Sequence, residues 1–330
     1  MKKLKILLVN NTKIPALNYG GTERVIWSLG KELVHRGHEV YYLVGKGSTC
    51  PFATVLEYNP QQSLAKQIPS YIDIIHLPGS PSEPLAKPYI VMIQGNTNTA
   101  CEYDINSVFV SQNHAKRHHS ESFVHNGIDP EDYGKPDFSI KRQYLHFLGN
   151  AAWKVKNVKQ AIQLTRQCHE RLAVLGGSRL NLKMGLRFTW DRHVSFYGMV
   201  GGEKKNRLLN GSKGLVFPVL WHEPFGLAIT ESLYFGCPVF GTTYGSLPEL
   251  VTPEVGFLSN SQSALVQAMS HLEVYNPRQC HEYVCDTLTA RHMTDSYLKL
   301  YSKVLDGNTL NPTKPYFSDI QQQKLLPMEE

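Results

Sequence analysis

The sequence of 330 residues lacks the long apolar run that a membrane-spanning helix requires. Its first strongly hydrophobic segment, Ile6–Val9, contains four residues and follows Lys2, Lys3 and Lys5. Such a segment is too short for the core of a signal peptide. We therefore interpret it as a buried β-strand rather than as a targeting sequence.

Cysteine is scarce, and none of the six cysteines forms a C-x-x-C pair. Scattered thiols in a chain of this size predict reduced cysteines and a cytoplasmic protein. Zinc binding is the alternative for Cys280 and Cys285, which lie near His281 and His292. Their spacing matches no standard zinc-ligand pattern, and a helix would turn these groups to different faces. We expect no metal site.

The dinucleotide-binding fingerprint is also missing. That fingerprint requires G-x-G-x-x-G in the first strand–helix turn and an acidic residue after the second strand. Here the turn carries only Gly20 and Gly21, and the second predicted strand continues into Gly45-Lys46-Gly47. The pattern argues against a nicotinamide cofactor.

Positive charge is concentrated in one stretch of the chain. Residues 1–136 contain 13 Lys and Arg against 12 Asp and Glu, whereas residues 154–213 contain 13 against 3. A surplus of this size indicates a partner with phosphate groups, although a solvated basic face is the alternative. No nucleic-acid-binding motif accompanies the charge, so we do not expect nucleic acid as the partner.

Strand and helix patterns alternate along two parts of the chain, which predicts two doubly wound α/β domains with parallel sheets. Residues 130–143 lose this periodicity and gather proline, glycine and charge, which is typical of a linker. The predicted domains are residues 1–136 and 137–305, and residues 306–330 are predicted to be a polar tail of low order.

The most informative segment is the loop and helix that contain Glu223 and Glu231. Pro224 suits a first helical position, and Gly226 removes a side chain where a ligand would approach a helix N-terminus. The two glutamates would lie about 12 Å apart if the segment is helical. Each carboxylate can accept two hydrogen bonds from a vicinal diol. The alternative is that Glu223 is a favourable N-terminal charge and Glu231 an exposed helix residue.

At these residues the sequence resembles the retaining glycosyltransferases of family 4, which have the GT-B fold of two Rossmann-like domains facing across a cleft. The family mark E-x7-E matches Glu223 through Glu231. Further matching segments are distributed over most of the chain: Gly20-Gly21-Thr22-Glu23-Arg24, Asp73-Ile74-Ile75-His76, Val110-Ser111, Asn126-Gly127-Ile128-Asp129, Gly198-Met199-Val200 and Pro248-Glu249.

The resemblance implies roles for the matched positions. Glu223 would bind the hydroxyl groups of the donor sugar and Glu231 the ribose, while Lys156, with Lys154 as a second cation, would bind the diphosphate. Because the leaving group gains negative charge, such a cation would assist catalysis. The remaining donor-binding positions are those where backbone would approach the donor: Gly20, Gly21, Phe225, Gly226 and Leu227.

Two features depart from the family pattern. Gly149-Asn150-Ala151 occupies the region where the family usually has an arginine. Gln94 stands where relatives often have a catalytic histidine, and glutamine can bind a hydroxyl group but cannot act as a general base. A retaining front-face mechanism tolerates this change, because the departing phosphate can accept the proton. His76 is the other candidate base, with a structural histidine as its alternative.

Two smaller patterns complete the predicted site. Ser246-Leu247-Pro248-Glu249 fits a helix capping box. Trp221 adjoins the Glu223 loop and is the tryptophan that we expect to stack on a sugar.

Taken with these residues, the resemblance implies a metal-independent, retaining hexosyltransferase. Its N-terminal domain would present the acceptor, and its C-terminal domain would bind a nucleotide sugar, a UDP-sugar, as a substrate rather than a cofactor. The resemblance suggests a glycan or glycolipid acceptor such as bacterial lipopolysaccharide, and a cytoplasmic protein with peripheral membrane contact. The alternatives are a sugar-nucleotide epimerase of the same architecture and a non-catalytic sugar-nucleotide-binding protein.

Overall fold

The computed structural model describes residues 3–16, 20–182, 187–320 and 325–330. Its strands, in chain order, are β1 (Lys5–Val9), β2 (Glu39–Val44), β3 (Thr54–Glu57), β4 (Ile74–Leu77), β5 (Tyr89–Ile93), β6 (Cys101–Glu102), β7 (Ser107–Phe109), β8 (Tyr144–Leu148), β9 (Leu172–Leu175), β10 (Leu180–Asn181), β11 (Arg187–Phe188), β12 (Val194–Phe196), β13 (Ser212–Phe217), β14 (Val239–Gly241), β15 (Gly256–Leu258) and β16 (Tyr316–Phe317).

Its α-helices are α1 (Gly21–His35), α2 (Leu64–Gln67), α3 (Gln112–Lys116), α4 (Val158–Gln167), α5 (Gly202–Asn210), α6 (Leu227–Tyr234), α7 (Leu247–Leu250), α8 (Gln262–Met269), α9 (Pro277–Thr287) and α10 (Ala290–Leu305). Single 3-10 turns lie at Pro130–Asp132, Lys154–Lys156 and Leu272–Val274. In the part of the chain that is described, no helix is both long and apolar enough to cross a membrane.

Two compact units are present, and each is built on a parallel six-stranded sheet. The first unit comprises residues 1–129 and 289–321, with strand order β3-β2-β1-β4-β5-β7. The second comprises residues 130–288 and 322–330, with strand order β12-β9-β8-β13-β14-β15. The central strands bury mostly apolar side chains, as expected of a doubly wound sheet with both faces covered. The predicted fold class is therefore confirmed.

Helix α10 belongs to the first unit, whereas the sequence analysis placed all of residues 137–305 in one domain. The segment Asn126–Asp129 accounts for the difference. The amide of Ala290 donates to the carbonyl of Ile128 at 2.7 Å, and a Cβ on Gly127 would meet the carbonyl oxygen of Thr289 at 2.1 Å. These contacts hold the start of α10 against the first unit, and Arg36, the C-cap residue of α1, also pairs with Asp295 of α10.

The segment after α10 is also more ordered than its polar composition predicts. Strand β16 pairs with β6, and Phe317 is almost completely buried. Asn311 is 3% exposed, and its side-chain amide donates to the carbonyls of Ile105 and Ser107. Buried backbone carbonyls thus take their partners from this segment, which fixes it to the first unit.

The matched glycines Gly20 and Gly21 form the start of helix α1. Gly20 is its N-cap residue and Gly21 its first residue. A side chain on Gly20 would meet the carboxylate of Glu23 at 2.7 Å. Glu23 instead accepts a hydrogen bond from the Thr12 hydroxyl at 2.8 Å, so the glycine lets the β1–α1 loop fold closely over the helix start.

Acid is expected to destabilise the fold through two buried histidines. His76 bonds the Tyr301 hydroxyl at 2.7 Å, and His146 lies between the hydroxyls of Ser212 and Ser232. Burial lowers the pKa of each to about 3, against about 6.5 in an unfolded chain. Between these two pKa values the unfolded state binds more protons than the folded state. The stabilisation by each histidine is therefore fully present above about pH 6.5. For each histidine, the free energy of unfolding falls by about 1.4 kcal/mol per pH unit as the pH drops toward 3.

Urea denaturation at a series of pH values between about 7 and about 5 measures this slope. His76→Asn keeps a hydrogen-bond partner for Tyr301. It should lower the slope of the unfolding free energy against pH by about 1.4 kcal/mol per pH unit, which corresponds to one proton. His35→Asn is the matched control because the His35 side chain is 84% exposed. Equal slopes for the two variants would show that His76 does not remain neutral in the folded state.

Candidate functional site

The loop that contains Glu223 lies beyond the carboxyl end of β13, at the edge of a parallel sheet where α/β proteins usually bind ligands. Helix α6 begins after this loop, with Gly226 as its N-cap residue at a φ of 87°. Pro224 therefore precedes the helix and is not its first residue, contrary to the prediction. A helical path from Glu223 is excluded because the left-handed Gly226 interrupts it.

Glu223 is buried between two donors. Its Oε2 accepts from the Lys156 ammonium at 2.5 Å and from the Trp221 indole N–H at 2.7 Å. The Lys156 Nζ also lies 5.0 Å from the centre of the Trp221 ring. Trp221 thus binds the carboxylate with its N–H and the lysine with its ring face. Glu223 is 6% exposed and Lys156 9% exposed, so the pair forms a largely dehydrated charge cluster.

Glu231 is buried at the other end of the same segment. Its Oε1 accepts from the Lys205 ammonium at 2.7 Å and from the Tyr133 hydroxyl at 2.6 Å. The Lys205 Nζ lies 5.0 Å from the centre of the Tyr133 ring. Glu231 is only 2% exposed, so the alternative of an exposed helix residue is wrong.

Sequence reasoning missed Lys205 and Tyr133. Lys205 sits in a run of charged residues, and its charge alone does not distinguish it from its exposed neighbour Lys204. The available signal was its spacing from Leu209, because positions i and i+4 share a helix face and these two residues form the buried face of α5. Tyr133 lies inside the segment interpreted as a linker, where no periodicity marks it.

The backbone around Glu223 is held by the turn before α7. The Ser246 amide donates to the Glu223 carbonyl at 2.9 Å, and the Ser246 hydroxyl donates to the Phe225 carbonyl at 2.7 Å. Ser246 makes no side-chain cap of α7, so the predicted capping box is wrong. Its hydroxyl is used to fix the Glu223 loop instead. Leu227, the first residue of α6, follows directly.

Residues near the end of the described chain also hold this loop. The Leu326 amide donates to the Leu220 carbonyl at 2.8 Å, and the Tyr244 hydroxyl donates to the Pro327 carbonyl at 2.5 Å. Glu329 forms backbone hydrogen bonds with Asn260 and Gln262. The last residues of the chain are therefore bonded to the start of the Glu223 loop and to the segments that follow β14 and β15.

Lys154 and Lys156 share one 3-10 turn but differ in environment. Lys156 is buried against Glu223, whereas Lys154 is exposed. Asn157 ends the turn in the left-handed conformation, and its side-chain amide donates to the Pro218 carbonyl at 3.0 Å. This bond ties the lysine turn to the end of β13 and so sets Lys156 beside Glu223.

Gln94 lies in the first unit and is held by an amide pair. Its side chain donates to Asn126 and accepts from it, both at 2.9 Å. It borders a cavity of about 540 Å³ beyond the carboxyl ends of β1, β4 and β5, whose polar lining includes Asn10, Thr12, Glu23, Asn96, Glu102 and Tyr103. His76 is buried and bonded to the Tyr301 hydroxyl. This environment fits a structural histidine, the alternative to a catalytic base.

In the described ranges, no group of three His, Cys, Asp or Glu side chains is placed to hold a metal ion. Cys280 is buried, and burial raises the pKa of its thiol to about 12. Cys285 lies 3.5 Å from the His281 ring nitrogen.

Part of this sequence is similar to known glycosyltransferases. Residues 142–273 match the family model of the glycosyl transferases group 1. The O-antigen chain mannosyltransferase C of Escherichia coli is 28% identical over 130 residues, which are 36% of this chain. The alignment spans about a third of the length of that relative (34%).

Solved structures share the fold over nearly the whole chain. AviGT4, a glycosyltransferase involved in avilamycin A biosynthesis, superposes with a TM-score of 0.77 at 21% identity, over 93% of this chain and 99% of AviGT4. Sucrose-phosphate synthase from Thermosynechococcus elongatus gives 0.70 at 16% identity, over 93% and 100%. Anabaena HepE in complex with UDP and glucose gives 0.65 at 14% identity, over 91% and 100%. The chain has the GT-B fold.

The close packing against Glu223 predicts a specific effect at Gly245. Gly245 has a φ of 68°, and a Cβ there would meet the Glu223 backbone nitrogen at 2.2 Å and its carbonyl oxygen at 2.3 Å. Gly134 has the same φ of 68° with nothing within 4 Å. Gly134→Ala should therefore lower the free energy of unfolding by only about 1–2 kcal/mol, the cost of placing alanine in the left-handed conformation. Gly245→Ala should cost about 2 kcal/mol more, because backbone must move.

Denaturant unfolding of both variants measures the difference. A Gly245→Ala loss no larger than that of Gly134→Ala would show that the Glu223 loop is not packed as described.

Proposed function

We propose that this chain is a retaining, metal-independent glycosyltransferase that moves a hexose from a nucleoside diphosphate sugar to a hydroxyl group of a glycan. The observation that carries the proposal is the pair of buried Lys–Glu contacts, Lys156–Glu223 and Lys205–Glu231, at the two ends of one loop and helix. The match to the glycosyl transferases group 1 and the GT-B fold support the transferase activity.

In this proposal the Glu223 end binds the sugar and the leaving phosphate. Glu223 accepts hydrogen bonds from the sugar hydroxyls, and Lys156 faces the diphosphate. A dehydrated ammonium stabilises the charge that develops on a leaving phosphate far more than a solvated one does, because water no longer screens it. Trp221 and the backbone bonds of Ser246 keep Glu223 in place before the substrate arrives.

The Glu231 end binds the nucleoside. A carboxylate suits the vicinal hydroxyls of a ribose. Lys205 and Tyr133 fix the orientation of Glu231 through its Oε1. We propose a UDP-sugar as the donor, since the structurally similar HepE was crystallised with UDP and glucose.

Reaction with retention breaks the bond between the sugar C1 and the diphosphate oxygen and forms the new bond to the acceptor oxygen on the same face. The acceptor proton passes to the departing phosphate oxygen, so no protein base is required. Gln94, which cannot accept a proton under these conditions, would position an acceptor hydroxyl. Lys156 and the exposed Lys154 supply positive charge in the place of a metal ion.

The acceptor would bind in the cavity of the first unit. Hydroxyl, amide and carboxylate groups line it, and these groups bind sugar hydroxyls. A glycan of the lipopolysaccharide type is the acceptor that we propose, because the similar E. coli protein is an O-antigen mannosyltransferase.

Thermal shift against UDP-, GDP- and ADP-sugars tests donor binding. Stabilisation by one class would identify the base, and no stabilisation by any would contradict the proposal. Incubation with the donor alone separates the alternatives, since an epimer that forms without acceptor would indicate an epimerase. Slow donor hydrolysis that is lost in Glu223→Ala would argue against a non-catalytic binding protein.

Removal of the Glu231 pair should weaken nucleotide binding. Loss of one member would leave a buried charge without a partner, so the double variant Glu231→Gln with Lys205→Met removes both charges together. Its affinity for UDP should fall about tenfold or more, because charged hydrogen bonds to the ribose are lost. Titration calorimetry measures this.

The control for this variant is Glu170→Gln with Lys213→Met. These residues form another Lys–Glu pair in the same unit, at 2.6 Å. The control should bind UDP like the wild type. Equal affinity of both double variants would refute the ribose assignment.

The two lysines of the 3-10 turn should differ in their effect on the rate. Lys156→Met should lower kcat by about a hundredfold or more with a smaller change in KM, because its charge acts mainly on the leaving group, and denaturant unfolding of this variant measures separately the cost of leaving Glu223 without its cation. Lys154→Met, a solvent-exposed charge two residues away, should lower kcat only severalfold. Initial rates with saturating acceptor measure both, and equal losses would contradict a specific role for Lys156.

A further inference from the structure

Residues 325–330 of the second unit run across the edge of its sheet where the Glu223 loop lies. We call these residues the crossing segment. They bond to the loops that follow three adjacent parallel strands, β13, β14 and β15. The contacts join the Leu326 amide to the Leu220 carbonyl at 2.8 Å, the Tyr244 hydroxyl to the Pro327 carbonyl at 2.5 Å and the Glu329 amide to the Asn260 carbonyl at 2.8 Å. Loops at the carboxyl ends of parallel strands bind the ligand in α/β proteins. The crossing segment therefore joins three parts of the ligand-binding edge.

Leu220 connects the crossing segment to the lysine turn. Its carbonyl accepts from the Leu326 amide, and its own amide donates to the Val155 carbonyl at 2.8 Å. Val155 directly precedes Lys156, and Leu220 lies three residues before Glu223. One residue thus links the crossing segment to the two backbone segments that carry the Lys156–Glu223 pair.

Tyr244 connects the crossing segment to the other support of the Glu223 loop. Its hydroxyl binds the Pro327 carbonyl, and the next two residues in the chain are Gly245 and Ser246. Gly245 packs on the backbone of Glu223, and the Ser246 amide donates to the Glu223 carbonyl. The turn that holds Glu223 from the β14 side is therefore also bonded to the crossing segment.

The crossing segment itself lies mostly at the surface. Pro327, Glu329 and Glu330 are exposed, whereas Met328 packs, partly buried, against the core cluster that contains Phe240. Surface segments with few buried contacts open locally at a lower free energy than the sheet beneath them. The docking of this segment can therefore respond to a ligand that binds at the loops.

We propose that the crossing segment is a positioning element of the donor site, and that its docking and donor binding stabilise each other. This inference rests on the proposed function. Loops that move independently must be ordered when a donor binds, and a segment that joins them beforehand removes part of this entropy cost. By linkage, a bound donor must stabilise the docked segment to the same extent.

Hydrogen exchange of single amides in the full chain tests this coupling. The nucleoside diphosphate that binds in the thermal shift, UDP in our proposal, should slow exchange of the Leu326 and Glu329 amides about threefold or more. The Tyr316 amide, which donates to the His118 carbonyl in the first unit, is the control and should not change. A nucleotide that binds without slowing exchange at Leu326 and Glu329 would overturn the proposal.

Two substitutions at Leu326 separate its backbone from its side chain. Leu326→Pro removes the amide that binds the Leu220 carbonyl, whereas Leu326→Ala keeps this amide and is the matched control. Leu326→Pro should weaken donor binding about threefold to tenfold and also lower kcat, because one hydrogen bond no longer positions the lysine turn. Leu326→Ala should resemble the wild type. Calorimetry and initial rates, both taken well below the unfolding temperature, measure these effects.

Tyr244→Phe tests the second link. It removes the hydroxyl that binds the Pro327 carbonyl and should weaken donor binding about threefold, because one hydrogen bond is lost. Tyr41→Phe is its control, since the Tyr41 hydroxyl binds Glu39 at 3.1 Å in the first unit. The control should bind the donor like the wild type.

The kinetic constants distinguish positioning from a purely structural role. A lower unfolding temperature of Leu326→Pro with unchanged kcat and KM would overturn the proposal, and so would equal constants for Leu326→Pro and Leu326→Ala. In both cases donor binding by the wild type would leave the proposed function standing. Failure of the wild type to bind any UDP-, GDP- or ADP-sugar would contradict the proposed function, and this inference with it.

Discussion

A charged carboxylate that is buried away from water is stabilised by a cation beside it. The second unit contains two such buried pairs of lysine and glutamate. Removal of one ion from water costs several kcal/mol even after the protein relaxes, and the attraction between partners offsets this cost only when their geometry is close. Lys156 meets Glu223 at 2.5 Å and Lys205 meets Glu231 at 2.7 Å. Both pairs gain a further hydrogen bond from an aromatic side chain, Trp221 or Tyr133.

Such pairs are weak evidence for stability, since apolar residues of similar volume often serve the fold equally well. In the proposed function, the value of these pairs lies in what they do for a charged ligand. Each pair keeps an ammonium and a carboxylate dehydrated and oriented before a ligand arrives, so little reorganisation remains at the moment of binding. Two neighbouring glycines follow from this geometry, because Gly245 leaves room for the backbone of the Glu223 loop and Gly226 adopts a φ of 87° beside the Glu223 side chain.

The sequence predicted the elements well where one rule dominated. The apolar run Ile6–Val9 located strand β1, because a parallel sheet buried on both faces requires such runs. The prediction failed at Ser246 and at Pro224, where a local motif suggested a helix cap or a helix start. At Ser246 the hydroxyl bonds the distant Phe225 carbonyl instead of capping α7, and at Pro224 the left-handed Gly226 delays the start of the helix.

The assignment of α10 to the first unit also depends on contacts between segments that are distant in sequence. Helices α9 and α10 follow each other almost without a break, yet they pack on different units. The information lies in Gly127, whose missing side chain admits the backbone of Thr289. A glycine in a matched motif therefore indicated a close approach, but the sequence could not show which segment approaches.

The basic stretch of residues 154–213 illustrates how burial divides residues that look alike in a sequence. Lys156 and Lys205 are buried beside carboxylates, and their charges act within a few ångströms. Arg171 and Arg192 are exposed, and their charges act through solvent over about a Debye length, roughly 8–10 Å. The two buried lysines are fixed by their carboxylate partners, whereas the exposed arginines remain solvated. Residues of the same charge in this stretch therefore differ in environment, and only the depth of each side chain separates them.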